Sequence, residues 1–407
     1  MMKACKFRIE PSPAVRQKLE RTLDLCRELY NGSLQERRDA YRMAACSLNY
    51  HDQAAELPAV KRVRPDVADV YSQVLQDVLQ RVHKAFDGFF RRVKAGAKAG
   101  YPRFKPKSRY DSFTYPGTGW SLDGNKLTLS KIGTLRLRLS RPLAGTVKTV
   151  QVKREGNHWH AIFTCEPAEG CTAAQGAARA PAAVNVVGID VGIESFLTTS
   201  DGKQVANPKH YRQAEARLKR AQRRLSRKKR GSRNRHRQRE RVAKLHRKTA
   251  NQRQDFLHKL SRKLVNRYDL ICFEDLHIKG MVKNHHLAKS ITDAGWGMFL
   301  AMVVYKAGNA GRRAVNVNPN GTSQECSGCH AKVPKGLSVR WHTCPHCQTE
   351  LHRDLNAARN ILARGIQLAL AAGLAVTVPG GLALAGLVKG EPGNPTSVGG
   401  PFLGGTA

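Results

Sequence analysis

The alternation of apolar and polar positions changes along the N-terminal half of the chain. Apolar residues recur every three or four positions in residues 13–45 and again in 65–95, which predicts two long helices. From Trp120 to Cys165 apolar and polar residues alternate, which predicts the strands of a small antiparallel sheet or barrel. A short strand, Cys5–Ile9, precedes the first helix.

The C-terminal half has a different order of predicted elements. The predicted elements are a strand 184–190, a turn 200–202, a helical hairpin 209–267, a strand 269–273, a helix 292–310, a strand 314–317 and a helix 354–363. This is the element order of an RNase H-like fold. The predicted fold class is therefore α/β and multidomain, with an RNase H-like domain preceded by a helical domain and a small antiparallel β-barrel.

Charge then indicates the kind of partner. The 407 residues contain 70 Lys and Arg but 31 Asp and Glu, a formal net charge of +39, which favours a nucleic acid over a membrane. Residues 211–250 hold 18 basic residues against two Glu. This run is too long, and too uniformly positive, to be an ordinary solvated face. The predicted nucleic-acid contacts of this hairpin are Arg223, Arg224, Arg227, Lys228 and Lys229.

Two other stretches are weaker candidates for nucleic-acid contacts. Aromatic and basic residues interleave in residues 100–115, where Arg103, Phe104 and Lys105 could stack bases and hold phosphates. The alternative is a solvated connector. In the second long helix, one face carries Gln side chains that could read adenine edges, although a solvated face is the simpler interpretation. These are Gln73, Gln76 and Gln80.

Ten cysteines would suit disulfides in a secreted protein, but four of them form two CxxC pairs and the others are scattered. The pairs Cys326/Cys329 and Cys344/Cys347 can together complete a tetrahedral shell, which predicts a closed structural Zn²⁺ site. A redox CxxC pair is the alternative. This use of cysteine, with no apolar leader at the N-terminus, predicts a cytoplasmic protein.

Residues 365–388 are long and nearly uncharged, but Pro379–Gly381 interrupts them. They predict a helix end followed by a weakly ordered tail, and not a membrane span.

Acidic residues are conspicuous in so basic a chain. Asp190 and Glu274 each end a predicted strand, and Asp354 begins a predicted helix. If the two strands are neighbours, these carboxylates converge at one end of a sheet, where they could hold Mg²⁺ (or Mn²⁺) for hydrolysis of a phosphodiester. Asp275 and Glu194 are rivals by position.

Several short blocks together resemble the TnpB (OrfB) family of transposon-encoded proteins, which is related to the type V CRISPR effectors. The resemblance covers about residues 3–365. The blocks are Gly188–Gly192, Arg253–Leu260, Phe273–Leu276, Ser290–Trp296, Thr322–Cys329, Leu337–Arg340 and Arg353–Ala358.

The resemblance implies a RuvC nuclease domain in which Asp190, Glu274 and Asp354 bind the catalytic metal ions. It implies that the N-terminal half holds a guide RNA derived from the transposon end and reads a short motif beside the target. The implied activity is cleavage of double-stranded DNA by a monomeric ribonucleoprotein. Where the family often has Asp two residues before the third acid this chain has His352, and His330 stands where Gly is common.

The predicted domains follow from these observations together. They are a β-barrel (wedge) domain of residues 1–10 and 100–166, a helical recognition domain 11–99, a linker 167–183, a RuvC-like domain 184–320 and 350–365, a zinc ribbon 321–349 and a tail 366–407. The alternatives are a resolvase or transposase that needs no guide, a guide-dependent DNA-binding repressor, and a zinc-ribbon RNA-binding protein.

Overall fold

The computed structural model describes residues 2–143, 145–167, 185–336 and 339–373. The chain divides into two compact units. The first consists of Met1–Thr172 with Ala221–Lys244, and the second of Ala173–Arg220 with Leu245–Ala407.

The first unit combines a set of helices with an antiparallel sheet. In order, its elements are β1 Lys3–Glu10, α1 Pro13–Ala44, α2 Tyr50–Ala55, α3 Leu57–Val63, a 3₁₀ turn Pro65–Asp69, α4 Ser72–Lys94, β2 Ser112–Pro116, β3 Trp120–Asp123, β4 Lys126–Leu129, β5 Gly133–Arg138, β6 Thr146–Glu155 and β7 His158–Glu166. Helix α1 begins where Ser12 accepts a hydrogen bond from Val15 N and Pro13 occupies the first turn. It ends at Ala45, which adopts a left-handed conformation, so the first predicted helix is confirmed.

The second predicted helix is shorter than its periodicity indicates. Residues 65–69 form a separate 3₁₀ turn, and the extended backbone at Val70 interrupts the helix before α4 begins at Ser72. The short helices α2 and α3 are absent from the prediction. Asn49 and Asp52 form a capping box that starts α2.

The predicted barrel is a single seven-stranded antiparallel sheet of order β2-β6-β7-β1-β5-β4-β3. Its end strands β2 and β3 are not hydrogen-bonded to each other within the described residues. The sheet is curled, since its two ends come close together: the hydroxyl of Tyr115 in β2 donates a hydrogen bond to Ser130 O in the β4–β5 turn. Alternate residues of β7, Trp159, Ala161 and Phe163, point into the core and explain the period of two.

The second unit is an α/β layer structure. In order, its elements are β8 Val186–Val191, β9 Ser195–Thr199, β10 Gln204–Ala206, α5 His210–Ser226, α6 Arg233–Arg267, β11 Leu270–Glu274, α7 Ile278–Met281, α8 His285–Ala294, α9 Trp296–Asn309, β12 Arg313–Val317, β13 Trp341–Thr343, β14 Glu350–His352 and α10 Arg353–Ala371. The predicted order of strands and helices is present. Residues 221–244, at the tip of the helical hairpin α5–α6, belong to the first unit.

The main sheet of the second unit has the order β10-β9-β8-β11-β12. Strand β11 runs parallel to β8 and β12, while β9 is antiparallel to β8 and β10. Both faces of the sheet are covered, so its central strands are almost continuously apolar. On one face Ile271 and Phe273 pack with α6 and α9, and on the other Leu270 and Cys272 pack with α10.

The predicted helix 292–310 is confirmed by α9, Trp296–Asn309, except at its start, where residues 292–294 belong to α8. Gly295 adopts a left-handed conformation with φ of 73°, and its N–H bonds to Ile291 O, which ends α8 before α9 begins. The segment His285–Asn309 is long and apolar enough to cross a membrane by length and composition. The side chains of Trp296, Phe299 and Val303 are nevertheless packed in the core.

Helix α10 runs to Ala371, eight residues beyond its predicted end at Ala363. Most of the predicted linker 167–183 and the tail beyond residue 373 lie outside the described residues.

Candidate active site and metal centre

The structure brings Asp190 and Glu274 to the same edge of the main sheet. Asp190 lies next to the end of β8 and Glu274 is the last residue of β11. The two strands are parallel neighbours with Phe273 opposite Ile189, so the next residue of each strand is an acid. The carboxyl ends of neighbouring parallel strands are a common position for functional groups.

Asp354 is brought to this edge by the packing of α10 on the sheet. A Cβ atom at Gly188, two residues before Asp190, would lie 2.1 Å from Ala358 O. A Cβ atom at Gly365 would similarly lie 2.2 Å from Cys272 Sγ, two residues before Glu274. Glycine at both positions therefore lets α10 lie directly on β8 and β11, with Asp354 in its first turn.

The electrostatics of Asp190 reflect the convergence. Burial raises the pKa of Asp190 well above its usual range, and the nearby carboxylates of Glu274 and Asp354 raise it further. Arg353 acts in the opposite direction. Burial also raises the pKa of Glu274. Ionising three neighbouring carboxyl groups is unfavourable without a compensating cation, and an all-oxygen donor set suits Mg²⁺ or Mn²⁺.

Thr322 is a residue of this site that the sequence alone does not indicate. Its hydroxyl donates a hydrogen bond to Glu274 Oε1 at 2.5 Å and lies 3.0 Å from Pro319 O. Thr322 is buried, and its hydrogen bond favours the ionised form of Glu274. The hydroxyl therefore fixes one of the two carboxylate oxygens of Glu274.

The segment that carries Thr322 is held by polar side chains spaced four residues apart on α10. Asn360 Nδ2 donates to Thr322 O and Glu325 O, both at 2.8 Å, and Asn356 Nδ2 donates to Glu325 O at 2.6 Å. Arg364 binds the carboxylate of Glu325 at 2.7 Å. Buried Asn at positions i and i+4 of an otherwise apolar helix is the sequence signal for such a contact.

The rival acids are placed differently. Asp275 is exposed beside Glu274, and exposed Glu194 forms an ion pair with Arg340 at 3.2 Å. His352 caps α10, because its Nδ1 accepts a hydrogen bond from Asp354 N at 3.3 Å. The His at this position thus supports the backbone on which Asp354 lies.

The four predicted zinc ligands lie together. Their sulfur atoms are all within 4.8 Å of one another, with Cys326 and Cys347 3.6 Å apart and Cys329 and Cys344 3.5 Å apart. Zn–S bonds of about 2.3 Å in a tetrahedron place sulfur atoms about 3.8 Å apart, so the cluster fits zinc. It adjoins the segment held by α10, because Ser327 N donates to Asn356 Oδ1 at 2.9 Å.

The predicted nucleic-acid residues all lie in the first unit. Within the hairpin tip Lys228 is half-buried, and the other residues of that prediction are exposed. Of the loop residues, Arg103 and Phe104 are exposed, whereas the ammonium group of Lys105 lies 5.9 Å from the centre of the Tyr30 ring.

The three Gln side chains of α4 differ in their surroundings. Gln76 is exposed, and Gln80 is half-buried. Gln73 Oε1 accepts a hydrogen bond from Thr118 Oγ1 at 3.0 Å.

A cleft of about 940 Å³ in the first unit is lined by both basic and acidic side chains. It places residues of the hairpin tip opposite the loop that precedes β2. Its basic side chains are Arg16, Lys107, Lys153, Arg154 and Arg239, and its acidic side chains are Glu20, Asp111, Glu155 and Glu240. This nearly balanced lining does not by itself indicate a polyanion.

The helical hairpin is anchored at its start by an acid that sequence reasoning also missed. The carboxylate of Asp293 accepts hydrogen bonds from Tyr211 N at 2.8 Å and Arg212 N at 3.2 Å, in the first turn of α5. It is buried and also pairs with Arg253 at 3.3 Å. An acid at a helix N-terminus stabilises it, so Asp293 fixes where the basic helix begins.

Comparison with protein families gives three matches along the chain. Residues 166–285 match a model described as Probable transposase, and residues 296–361 match one described as a Cas12f1-like TNB domain. Residues 1–45 match a model described as a helix-turn-helix domain, although the structure has a strand and one long helix in this range.

Two relatives match over most of their length. A protein of Streptomyces pristinaespiralis with the provisional name RNA-guided DNA endonuclease is 36% identical over 377 residues, which covers 89% of each chain. InsQ of Escherichia coli K12, with the same provisional name, is 30% identical and covers 89% of this chain and 92% of its own. Among solved structures, the mini-RNA-guided endonuclease CRISPR-Cas_phi3 matches 93% of this chain and 94% of its own, at 9% identity and a TM-score of 0.46.

Proposed function

Because the chain belongs to the TnpB (OrfB) family, we propose that it is an RNA-guided endonuclease that cleaves double-stranded DNA beside a short adjacent motif. The observation that carries the proposal is the meeting of Asp190, Glu274 and Asp354 at one edge of a sheet in a chain of charge +39. Acids gathered in a basic protein suit metal-assisted cleavage of a phosphodiester.

In this proposal the second unit is a RuvC-type nuclease domain. Asp190, Glu274 and Asp354 would hold the divalent ions, and Thr322 orients Glu274 and favours its ionised form. When bound, two Mg²⁺ or Mn²⁺ ions would stabilise the attacking and leaving oxygens of the scissile phosphate. Zn²⁺ at the cysteine cluster has a structural role, because four thiolates leave no open coordination position.

The basic surfaces of the first unit then hold nucleic acid. The hairpin tip contacts phosphates, and base pairing between guide and target supplies most of the sequence specificity. The guide RNA comes from the transposon end, and the functional particle is a monomeric ribonucleoprotein in the cytoplasm.

The test is to purify the protein free of RNA and to offer it duplex DNA with Mg²⁺, with and without a transcript of the transposon end. Cleavage is expected only with RNA whose end pairs with the target, and only beside a fixed short motif. Asp190→Ala, Glu274→Ala and Asp354→Ala should each nearly abolish cleavage and retain nucleic-acid binding. Asp275→Ala, which removes a neighbouring exposed acid, is the matched control and should remain active.

Each alternative has its own outcome in this experiment. Equal, sequence-independent cutting in both tubes would favour a resolvase or transposase that needs no guide. Guide-dependent binding without cleavage by the wild-type protein would favour a repressor. Robust cutting by any of the three alanine variants would contradict the assignment of the acids.

A further inference from the structure

Three aromatic side chains of the first unit are exposed near one another: Phe90 and Tyr101 belong to one ring cluster, and Phe104 lies beside it. The exposed fractions are 53% for Phe90, 44% for Tyr101 and 43% for Phe104. The Tyr101 ring lies edge-on to Phe86 at 5.5 Å and to Phe89 at 5.3 Å, and Phe90 lies 5.2 Å from Phe89. Phe86 is buried, so the exposed rings are supported from below by the core.

A planar cation joins the two loop aromatics. The guanidinium carbon of Arg38, in α1, lies 5.3 Å from the centre of the Phe104 ring and 5.9 Å from that of Tyr101. Arg38 is exposed and forms no ion pair with any described residue. Its charge is therefore available to a ligand, and its flat group can stack as well as pair.

The loop that carries these rings is fixed although it has no regular secondary structure. The side chain of Asn31 in α1 forms two hydrogen bonds with the backbone of Lys105. Its Oδ1 accepts from Lys105 N at 2.8 Å, and its Nδ2 donates to Lys105 O at 3.1 Å. Phe104 is thus held at the surface beside Arg38. A preorganised ring loses little freedom when a ligand binds to it.

We infer that Arg38, Tyr101, Phe104 and Phe90 form a stacking platform for unpaired bases of a bound RNA. Residues 91–109 contain eight Lys and Arg and no acid, so Tyr101 and Phe104 lie in a chain segment that attracts a polyanion, and Phe90 directly precedes it. Aromatic rings beside basic groups are the combination that binds single-stranded nucleic acid. RNA is the favoured source, because folded RNA presents unpaired bases at all times, whereas duplex DNA presents them only after opening. The inference rests on the proposed function only in taking RNA as a partner.

The test uses the full-length protein and a short single-stranded RNA that contains 5-iodouridine, with a DNA of the same sequence that contains 5-iododeoxyuridine. Irradiation should crosslink the RNA to a peptide that contains Phe90, Tyr101 or Phe104. Phe104→Ala and Tyr101→Ala should each weaken RNA binding about tenfold, as expected for loss of one stacked base. Phe104→Trp should bind RNA as tightly as the wild type. Arg38→Lys should lose part of the affinity, because it keeps the charge but not the planar guanidinium group.

Tyr41→Ala is the matched control. Tyr41 is a 68% exposed aromatic residue of the same helix as Arg38, and it has no ring or cation contact among the described residues. Unchanged RNA affinity in Phe104→Ala and Tyr101→Ala, at unchanged melting temperature, would overturn the platform. Crosslinks to the DNA alone would overturn the assignment to RNA. Because the assay uses no target duplex, guide sequence or metal, a failure of guided cleavage would leave its result unaffected.

Discussion

Replacement of Thr322 by Val removes one hydroxyl while it keeps the shape of a buried side chain. The lost hydrogen bond runs to the carboxylate of Glu274, whose pKa is already raised by burial. A hydrogen bond to a charged group contributes about 1.5–3 kcal/mol, which corresponds to about a 10- to 100-fold change in an equilibrium constant. The ionised, oriented form of Glu274 should become rarer by that factor.

The concentration of divalent metal needed for half-maximal cleavage should therefore rise about tenfold or more in Thr322→Val. Binding of Mn²⁺ to the protein alone, followed by electron paramagnetic resonance, should weaken in parallel. Thr322→Ser keeps the hydroxyl and should stay close to wild type. The control is Thr249→Val, because Thr249 is also buried but donates only within its own helix, to Leu245 O. A metal requirement equal to wild type in Thr322→Val would refute the view that Thr322 positions Glu274.

The elements that frame the candidate active site could be predicted because each depends on local pattern. Strands β8 and β11 are apolar runs that end in an acid, and that pattern alone suggests a buried parallel sheet with carboxylates at its edge. The long helices α1 and α6 show their apolar faces in the sequence. For these elements local preference and tertiary packing agree.

The predictions that failed or were incomplete depend on one backbone position or on distant partners. The apolar pattern of residues 292–310 continues through Gly295, and only the left-handed conformation of that residue divides α8 from α9. Thr322 gives no sign in the sequence of its bond to Glu274, since 48 residues separate them. The period of two predicted a small antiparallel sheet or barrel from Trp120 onward, but it had no means to determine whether β2 and β3 pair.

Three further changes test the metal centre and the packing. Purified protein should contain about one zinc ion per chain by elemental analysis, and Cys326→Ala should lose it and melt at a lower temperature, whereas Cys46→Ala, at an exposed cysteine outside the cluster, should not. Gly188→Ala should lower the free energy of unfolding by about 1–3 kcal/mol, because its Cβ would press on the backbone of α10, while Gly308→Ala, with nothing within 4 Å, should cause no loss. The last change concerns Lys306, which is buried and donates to His258 O and Ser261 Oγ, both at 2.7 Å. Burial, with a smaller effect of Arg262, lowers the pKa of Lys306 from 10.5 to about 8. Between these pH values the unfolded chain binds a proton that the folded chain has released, so the wild type should gain up to about 3 kcal/mol of stability as the pH rises from 7 to 10. Lys306→Met lacks this group, so melting curves in matched buffers should show the stability of the wild type rising relative to that of the variant over that pH range. A pH-independent difference in stability between the two proteins would contradict the lowered pKa.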